Sequence, residues 1–431
     1  IHPQYKLLDC LKKGFIYHHG SVPDSVRIYI EHIFSTCSEI KYVVTSSTLL
    51  EGVNLSADRL FVLDNRKGPG YLSPSNFKNL VGRVCRFSEI FSGKTPKLQK
   101  LEPEIYLVIG EFFRNKVQIE NYLQKSMKVD KTVIDEVKNI LLANAELDQK
   151  QKMELSREKE FIENYEEGTL KGFNGRRTKT DIGKICFLNN ITEIDIFENE
   201  KKMQDKVNYL RTKEIVIKDT QTLFNVLYKL FFIYIEDTDK NQNLIRFKHQ
   251  ETRNFYKMFL DWRIKGASYN EMIGSFMRHW KDLIDKNGDT LVYVDRWGDE
   301  RREGVRELWT DIRKKNHKEM INLAIVRIKE EQDYLDNIIM KYIEVLNDLC
   351  LVDEILYLKI KYGTSDKRKV LLVKNGLSLG LSNLIVDKYA DYLVIDYESN
   401  SVEYIDGIIE MMTQNEENEV LLYELKYFIE K

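Results

Sequence analysis

Between Phe15 and Gly110 the sequence alternates short β-branched runs with stretches of helical periodicity, and this alternation constrains the fold more than any other feature. FIYHH (15–19) reads as a short buried strand, and Asp24–Thr36 carries Val26, Ile30, Ile33 and Phe34 at helical spacing. KYVVTS (41–46), RLFVLD (59–64) and EIYLVIG (104–110) read as further strands. Ser73-Pro74-Ser75 is a helix-start signal, and the pattern predicts a helix from Ser73 to Arg86. Strands that alternate with helices imply a parallel sheet covered on both faces. Such sheets hold ligands in the loops beyond the carboxyl ends of their strands.

After Glu111 the pattern changes to long helices, predicted over 131–145, 151–166, 220–236, 250–264, 269–284 and 306–349, with a glycine-containing break at 168–175. The expected organisation is a lobe at 1–125, a helical linker with a module of winged-helix type at 126–240, and a helical bundle with a C-terminal accessory region at 241–431. The fold class is therefore an α/β lobe followed by a mostly α-helical region. Ile1 is not Met, which predicts a fragment, a processed chain or a trimmed one. With 43% hydrophobic and 31% charged residues and no long apolar run, the composition is that of a globular chain and excludes a membrane partner. The five cysteines are odd in number, widely spaced and free of Cys-x-x-Cys pairs, which predicts a cytoplasmic protein with neither a disulfide framework nor a metal site. A net charge of -2 neither demands nor excludes nucleic acid, because basic segments such as 171–184 and 359–374 coexist with an acidic tail.

Three clusters in the α/β part carry chemistry. His18-His19-Gly20-Ser21, with Arg27 downstream, falls where a strand gives way to a helix; glycine permits close backbone approach, and N–H groups at a helix start favour phosphate. Ser46 to Leu55 (SSTLLEGVNL) follows a strand, so its hydroxyls and N–H groups sit at the carboxyl edge, where they suit phosphate oxygens. In Asn79 to Arg86 (NLVGRVCR), Arg83 and Arg86 are three apart; on a helix both guanidinium groups project from one face and call for an anion between them. Taken singly, each cluster also reads as a turn or a solvated helix face.

Taken together and in this order, the clusters resemble superfamily-two helicases, especially the superkiller-like branch. His18-His19-Gly20 with Arg27 looks like that family's fourth motif, TLLEGVNL like the fifth, and Asn79–Arg86 like the sixth. Ser46 stands where Thr is usual, Asn79 where Gln is, and Cys85 where Gly is. The resemblance implies that the first part is the second RecA-like lobe. It gives Arg83 and Arg86 the role of catalytic arginines that reach the γ-phosphate of ATP, and Gly52 and Asn54 the role of nucleotide contacts. His19, Gly20, Arg27, Ser46 and Thr48 take the grip on the nucleic-acid backbone.

No Gly-x-x-x-x-Gly-Lys-Ser/Thr loop and no Asp-Glu-x-His or Asp-Glu-Ala-Asp box occurs in the sequence. ATP and Mg2+ are therefore expected to be held mainly by a first lobe, either in the parent polypeptide, which is favoured, or supplied by another chain, and the present chain alone is predicted inactive. The expected activity of the complete protein is ATP-dependent translocation or unwinding. The expected partners are that lobe and nucleic acid, DNA slightly preferred over RNA. The alternative is a non-catalytic helicase-like clamp for nucleic acid or a partner. Of the tryptophans, Trp262 and Trp280 lie among apolar helix residues and are expected in the core. Trp297, in a polar loop, is the candidate for stacking on bases.

Overall fold

The structure is a computed structural model that describes residues 2–46, 57–67, 70–82, 84, 104–108, 110, 119–127, 149, 152–153, 156, 159, 178–238, 241–286, 288–301 and 307–429. The chain divides into two compact units, Pro3–Glu136 and Val137–Lys431, the latter including Ile1–His2.

The N-terminal unit runs α1 (Lys6–Lys12), β1 (Phe15–His18), α2 (Asp24–Thr36), β2 (Tyr42–Thr45), β3 (Arg59–Val62), β4 (Arg66–Lys67), β5 (Gly70–Tyr71), α3 (Pro74–Val81), β6 (Glu104–Leu107) and α4 (Ile119–Met127). β1 pairs with β2 in parallel, in the register Phe15↔Tyr42 to His18↔Thr45. β3 pairs with β6 in parallel, from Arg59↔Glu104 to Val62↔Leu107. Among the described residues these are two separate two-stranded pairs rather than the one continuous parallel sheet expected.

Strand alternation sends Leu60, Val62, Ile105 and Leu107 to one side of the second pair, where they pack on Leu80 of α3 and on Ile119 and Leu123 of α4. The opposite side departs from the expectation of two covered faces. There Phe61 and Tyr106 are 55% and 45% exposed, with their rings stacked at 4.9 Å. Cross-strand pairing is what holds this face together, since Arg59 Nε also meets Glu104 Oε2 at 2.6 Å.

α2 forms where it was expected because Pro23 and Asp24 set its start and Val26 and Ile30 bury one stripe. α3 starts as predicted, with the Ser73 hydroxyl accepting from the N–H of Asn76 at 3.2 Å and Pro74 in the first turn. It ends at Val81 rather than Arg86. Gly82 caps it, and the β-branched Val84 makes a parallel bridge to Ala57.

The C-terminal unit is mostly helical. Its elements are α5 (Asp181–Leu188), α6 (Ile196–Thr212), α7 (Thr220–Leu230), α8 (Gln242–Ile245), α9 (Gln250–Lys265), α10 (Tyr269–Asp285), β7 (Leu291–Tyr293), β8 (Glu300–Arg301), β9 (Glu307–Asp311) and α11 (His317–Tyr334). They continue as α12 (Met340–Asp348), α13 (Glu354–Tyr362), α14 (Lys367–Lys374), α15 (Leu379–Lys388), β10 (Leu393–Asp396), β11 (Ser401–Tyr404), α16 (Ile408–Gln414) and α17 (Glu419–Ile429). Capping boxes start two of the helices, Ser268 with Glu271 at α10 and Asn316 with Glu319 at α11. Gly266 and Gly363 stop α9 and α13 in the left-handed conformation. A wide π turn, Leu335–Ile339, joins α11 to α12, and Arg263 pairs with Asp336 on it.

Phe224, Phe231, Phe232, Phe247, Tyr256 and Tyr342 are fully buried and make an aromatic core, with Phe247 and Tyr256 stacked at 4.8 Å. A second core joins α14 to α17 through Leu372, Leu381, Ile385, Met412 and Leu425. Residues 178–238 belong to the same compact unit: Ile217 bridges Val352, and Asn189 on the α5 side donates to Asp348 of α12 at 3.0 Å. Within 178–218 two helices are described and no paired hairpin.

The helix predicted over 306–349 is corrected at its start. Residues 307–311 are the central strand of an antiparallel β7-β9-β8 sheet, a 3-10 turn follows at Ile312–Lys314, and the α-helix begins only at His317. The helices predicted over 131–145 and 151–166, and the glycine break at 168–175, lie almost wholly outside the described residues.

Candidate nucleic-acid interface

The parallel register of β1 and β2 puts His18 beside Thr45, so both strands end at the same edge. The N–H of Ser46 donates to the carbonyl of His18 at 3.3 Å, which joins the segment after β2 to the end of β1. Beyond His18 the chain turns sharply. The N–H of Val22 donates to the His19 carbonyl at 3.1 Å, and Gly20 lies inside this turn. The His19 ring stacks on Tyr17, with centroids 5.4 Å apart, and its Nδ1 accepts from the N–H of Ser21 at 3.1 Å. A neutral His19 bonded in this way carries its proton on Nε2. Tyr17 in turn meets Tyr5 edge to face at 6.3 Å; burial, with the Tyr5 hydroxyl beside it, raises the Tyr17 phenol well above its ordinary range.

Arg27 lies in the first turns of α2, its N–H bonded to the carbonyl of Pro23. Its guanidinium, about one third exposed, meets Asp24 Oδ1 at 2.8 Å. A carboxylate therefore occupies the forked donor that the sequence assigns to phosphate. An exposed i,i+3 pair of this kind is weak, and a phosphate can displace it.

Four of the nine expected site residues, His19, Gly20, Arg27 and Ser46, thus fall at or next to the carboxyl edge of β1 and β2. Thr48, Gly52, Asn54, Arg83 and Arg86 lie outside the described residues. What flanks them is described: Ala57, after the Gly52–Asn54 segment, pairs in parallel with Val84, which is 5% exposed and sits between the two arginine positions. α3 ends at Val81, before either arginine position. Among the described residues no group of three or more His, Cys, Asp and Glu could hold a metal ion, and no helix is long and apolar enough to cross a membrane.

Sequence reasoning included His18 in the first cluster without giving it a role of its own, and passed over Glu31. His18 is 1% exposed, and its Nε2 lies 2.8 Å from Glu31 Oε1 of α2. The signal was present, since strand alternation puts His18 on the side of buried Ile16, where a polar ring requires a partner.

In the C-terminal unit Trp280 is buried, as expected of a core residue, whereas Trp262 is half-buried and packs on Phe259 at 4.9 Å. Trp297 is 38% exposed. Its indole N–H donates to Glu330 Oε1 at 2.8 Å, an oxygen that also accepts from Arg296 Nε at 3.0 Å, so the ring is held by its edge. In the basic segment 359–374, Lys361, Lys369 and Arg368 pair with Glu344, Asp387 and Asp366, the arrangement of a solvated face.

No family model matches the chain. Over 94 residues, 22% of its length, it is 34% identical to DNA polymerase theta of Caenorhabditis elegans, of which this covers 6%. Over 91 residues, 21% of its length, it is 29% identical to anti-bacteriophage protein B of Escherichia coli K12, of which this covers 12%. The likeness is partial. The chain matches only these small shares of the curated relatives' lengths.

Proposed function

We propose that this chain is the C-terminal half of an ATP-dependent nucleic-acid helicase or translocase of the superkiller-like branch, with residues 1–125 as its second RecA-like lobe. The observation that carries the reading is the gathering of the His19–Gly20 turn, Arg27 and Ser46 around the joined ends of two parallel strands, in the order of the family's motifs. The partial similarity to a protein named as a DNA polymerase adds support for DNA as the partner.

In this reading the Ser46 and Thr48 hydroxyls, backbone N–H groups around Gly20, and the Arg27 guanidinium hold successive phosphates, which makes binding salt-dependent and indifferent to sequence. Gly52 and Asn54 line the cleft toward the missing lobe. Arg83 and Arg86 place guanidinium groups where charge builds on the transferred phosphoryl group. ATP with Mg2+, bound mainly by the other lobe, supplies the free energy of the cycle.

The test uses the complete protein, with the first lobe fused or added. Arg86→Ala is expected to keep strand binding near wild type and to lower ATP turnover on the order of a hundredfold, the scale of an arginine finger. Lys at this position should rescue poorly, because an ammonium lacks the planar fork. Wild-type turnover by a folded Arg86→Ala protein would sink the assignment. Strand binding without stimulated turnover in the wild-type complete protein would favour a clamp.

A further inference from the structure

We propose that His18 is a positioning residue for the strand grip: through Glu31 it sets the rotation of α2 and thereby aims Arg27. The inference rests on the assignment of Arg27 and Ser46 to that grip.

His18 joins three segments. Its carbonyl accepts from the N–H of Ser46 beyond β2, its ring is 1% exposed at the end of β1, and its Nε2 lies 2.8 Å from Glu31 Oε1 of α2. The same residue therefore bears on two of the expected phosphate-holding positions.

Helical periodicity supplies the lever. Asp24, Arg27 and Glu31 fall on one stripe of α2 at steps of three and four residues. Arg27 lies four residues nearer the helix start than Glu31, about 6 Å along the axis toward the carboxyl edge of β1. Val26 and Ile30 are the buried residues of α2, and apolar contacts of this kind resist separation but fix rotation less sharply than a directional bond. A hydrogen bond to a buried ring is directional. A rotation of about 20° moves a side chain at the helix periphery by about 2 Å. That displacement is enough to break a hydrogen bond to a phosphate.

Charge and geometry predict opposite results when Glu31 is removed. Loss of a negative charge beside a phosphate site should tighten binding, whereas loss of aim should weaken it. The experiment measures the affinity of the full chain for a fluorescent oligothymidylate at 50 mM salt, together with the melting temperature, for wild type, Arg27→Ala, Glu31→Ala and the double variant. Arg27→Ala is expected to weaken binding on the order of fivefold. Glu31→Ala should weaken it by a similar factor, and the double variant should bind no worse than Arg27→Ala alone. Any loss of melting temperature caused by Glu31→Ala should be the same with and without Arg27. Glu31→Gln, which keeps an acceptor for His18, should restore binding. Glu31→Asp keeps the charge but is one methylene too short; it should behave like Glu31→Ala, and it replaces that variant if the alanine protein does not fold.

Wild-type or tighter binding by Glu31→Ala and Glu31→Asp, or effects that multiply with Arg27→Ala, would overturn the positioning role while leaving the grip intact. No binding by the wild type, or no effect of Arg27→Ala, would instead remove the grip and this inference with it.

Discussion

Glu200 offers a sharp test of how the C-terminal unit is held together, because one buried oxygen serves three donors. Its side chain, on α6, is 7% exposed. Oε2 accepts from the N–H of Lys179 at 2.9 Å, the N–H of Thr180 at 3.0 Å and the Thr180 hydroxyl at 2.9 Å. Thr180 is the N-cap of α5, its hydroxyl accepting in turn from Gly183 at 3.1 Å, so the carboxylate secures the start of one helix from the flank of another. Glu200→Ala leaves two backbone N–H groups without this acceptor, each costing about 1–3 kcal/mol, and removes an anion from a helix start, worth about 0.3–1 kcal/mol. Water entering the space recovers part of this, so a loss of about 3 kcal/mol is expected, with Glu200→Gln costing less because an acceptor oxygen remains. A Cβ built on Gly183 would lie 2.4 Å from Glu200 Oε2, so Gly183→Ala should also destabilise. In a Glu200→Ala background that second substitution should cost less, since the shortest contact is gone while Thr180 Oγ1 at 3.0 Å and Thr178 Cβ at 3.1 Å remain. Urea unfolding of the four proteins, followed by circular dichroism, measures the cycle. A loss below about 1 kcal/mol for Glu200→Ala, or additive effects of the two substitutions, would refute the account.

At Gly298 a Cβ would meet only backbone, at 2.4 Å from the Trp309 N, 2.5 Å from the Leu308 C and 2.6 Å from the Glu307 O. Gly298→Ala should therefore lift the 295–297 turn off β9, lower the melting temperature and shift tryptophan emission; an unchanged melting curve contradicts this. Burial raises the Glu424 carboxyl above its ordinary value, against the opposing hydrogen bonds from the Ser378 N–H and hydroxyl. A carboxyl with a raised folded pKa binds its proton more tightly in the folded state, so stability from this group grows as pH falls from neutral through that pKa and levels off below the unfolded value. The wild-type minus Glu424→Gln difference in unfolding free energy, followed from pH 7 to 4, should trace that rise, and a flat difference argues against it.

The start of α2 and the strands β1, β2, β3 and β6 were legible because each carries its own signal: a Pro-Asp start with apolar residues at helical spacing, or a β-branched run. Ends were harder to read. Nothing near Val81 announced the end of α3 except Gly82, and the bridge of Val84 to Ala57 is a long-range pairing that no local window contains. Glu307–Asp311 reads as helix beside the strong periodicity of α11, yet it is a strand because β7 and β8 lie on either side of it. The open face of β3 and β6 has the same origin, since local pattern marks a strand but not what covers it. At the interface, His19 and Arg27 could be found by motif. The buried His18–Glu31 pair demanded a step further, asking which side of the strand each histidine faces.

The wide turn at Leu335–Ile339 bears on how this sequence can change length. A π turn holds one residue more than an α turn, so the extra residue is absorbed locally and the helix on either side keeps its place. Losing one codon between His317 and Tyr334 would swing every later side chain of the rod by about 100° and pull it back about 1.5 Å, dragging Tyr342, Ile343 and Leu346 out of their packing. Losing exposed Asn337 would only let the turn relax to ordinary α geometry. In a rod otherwise intolerant of deletion, these five residues form an expansion joint.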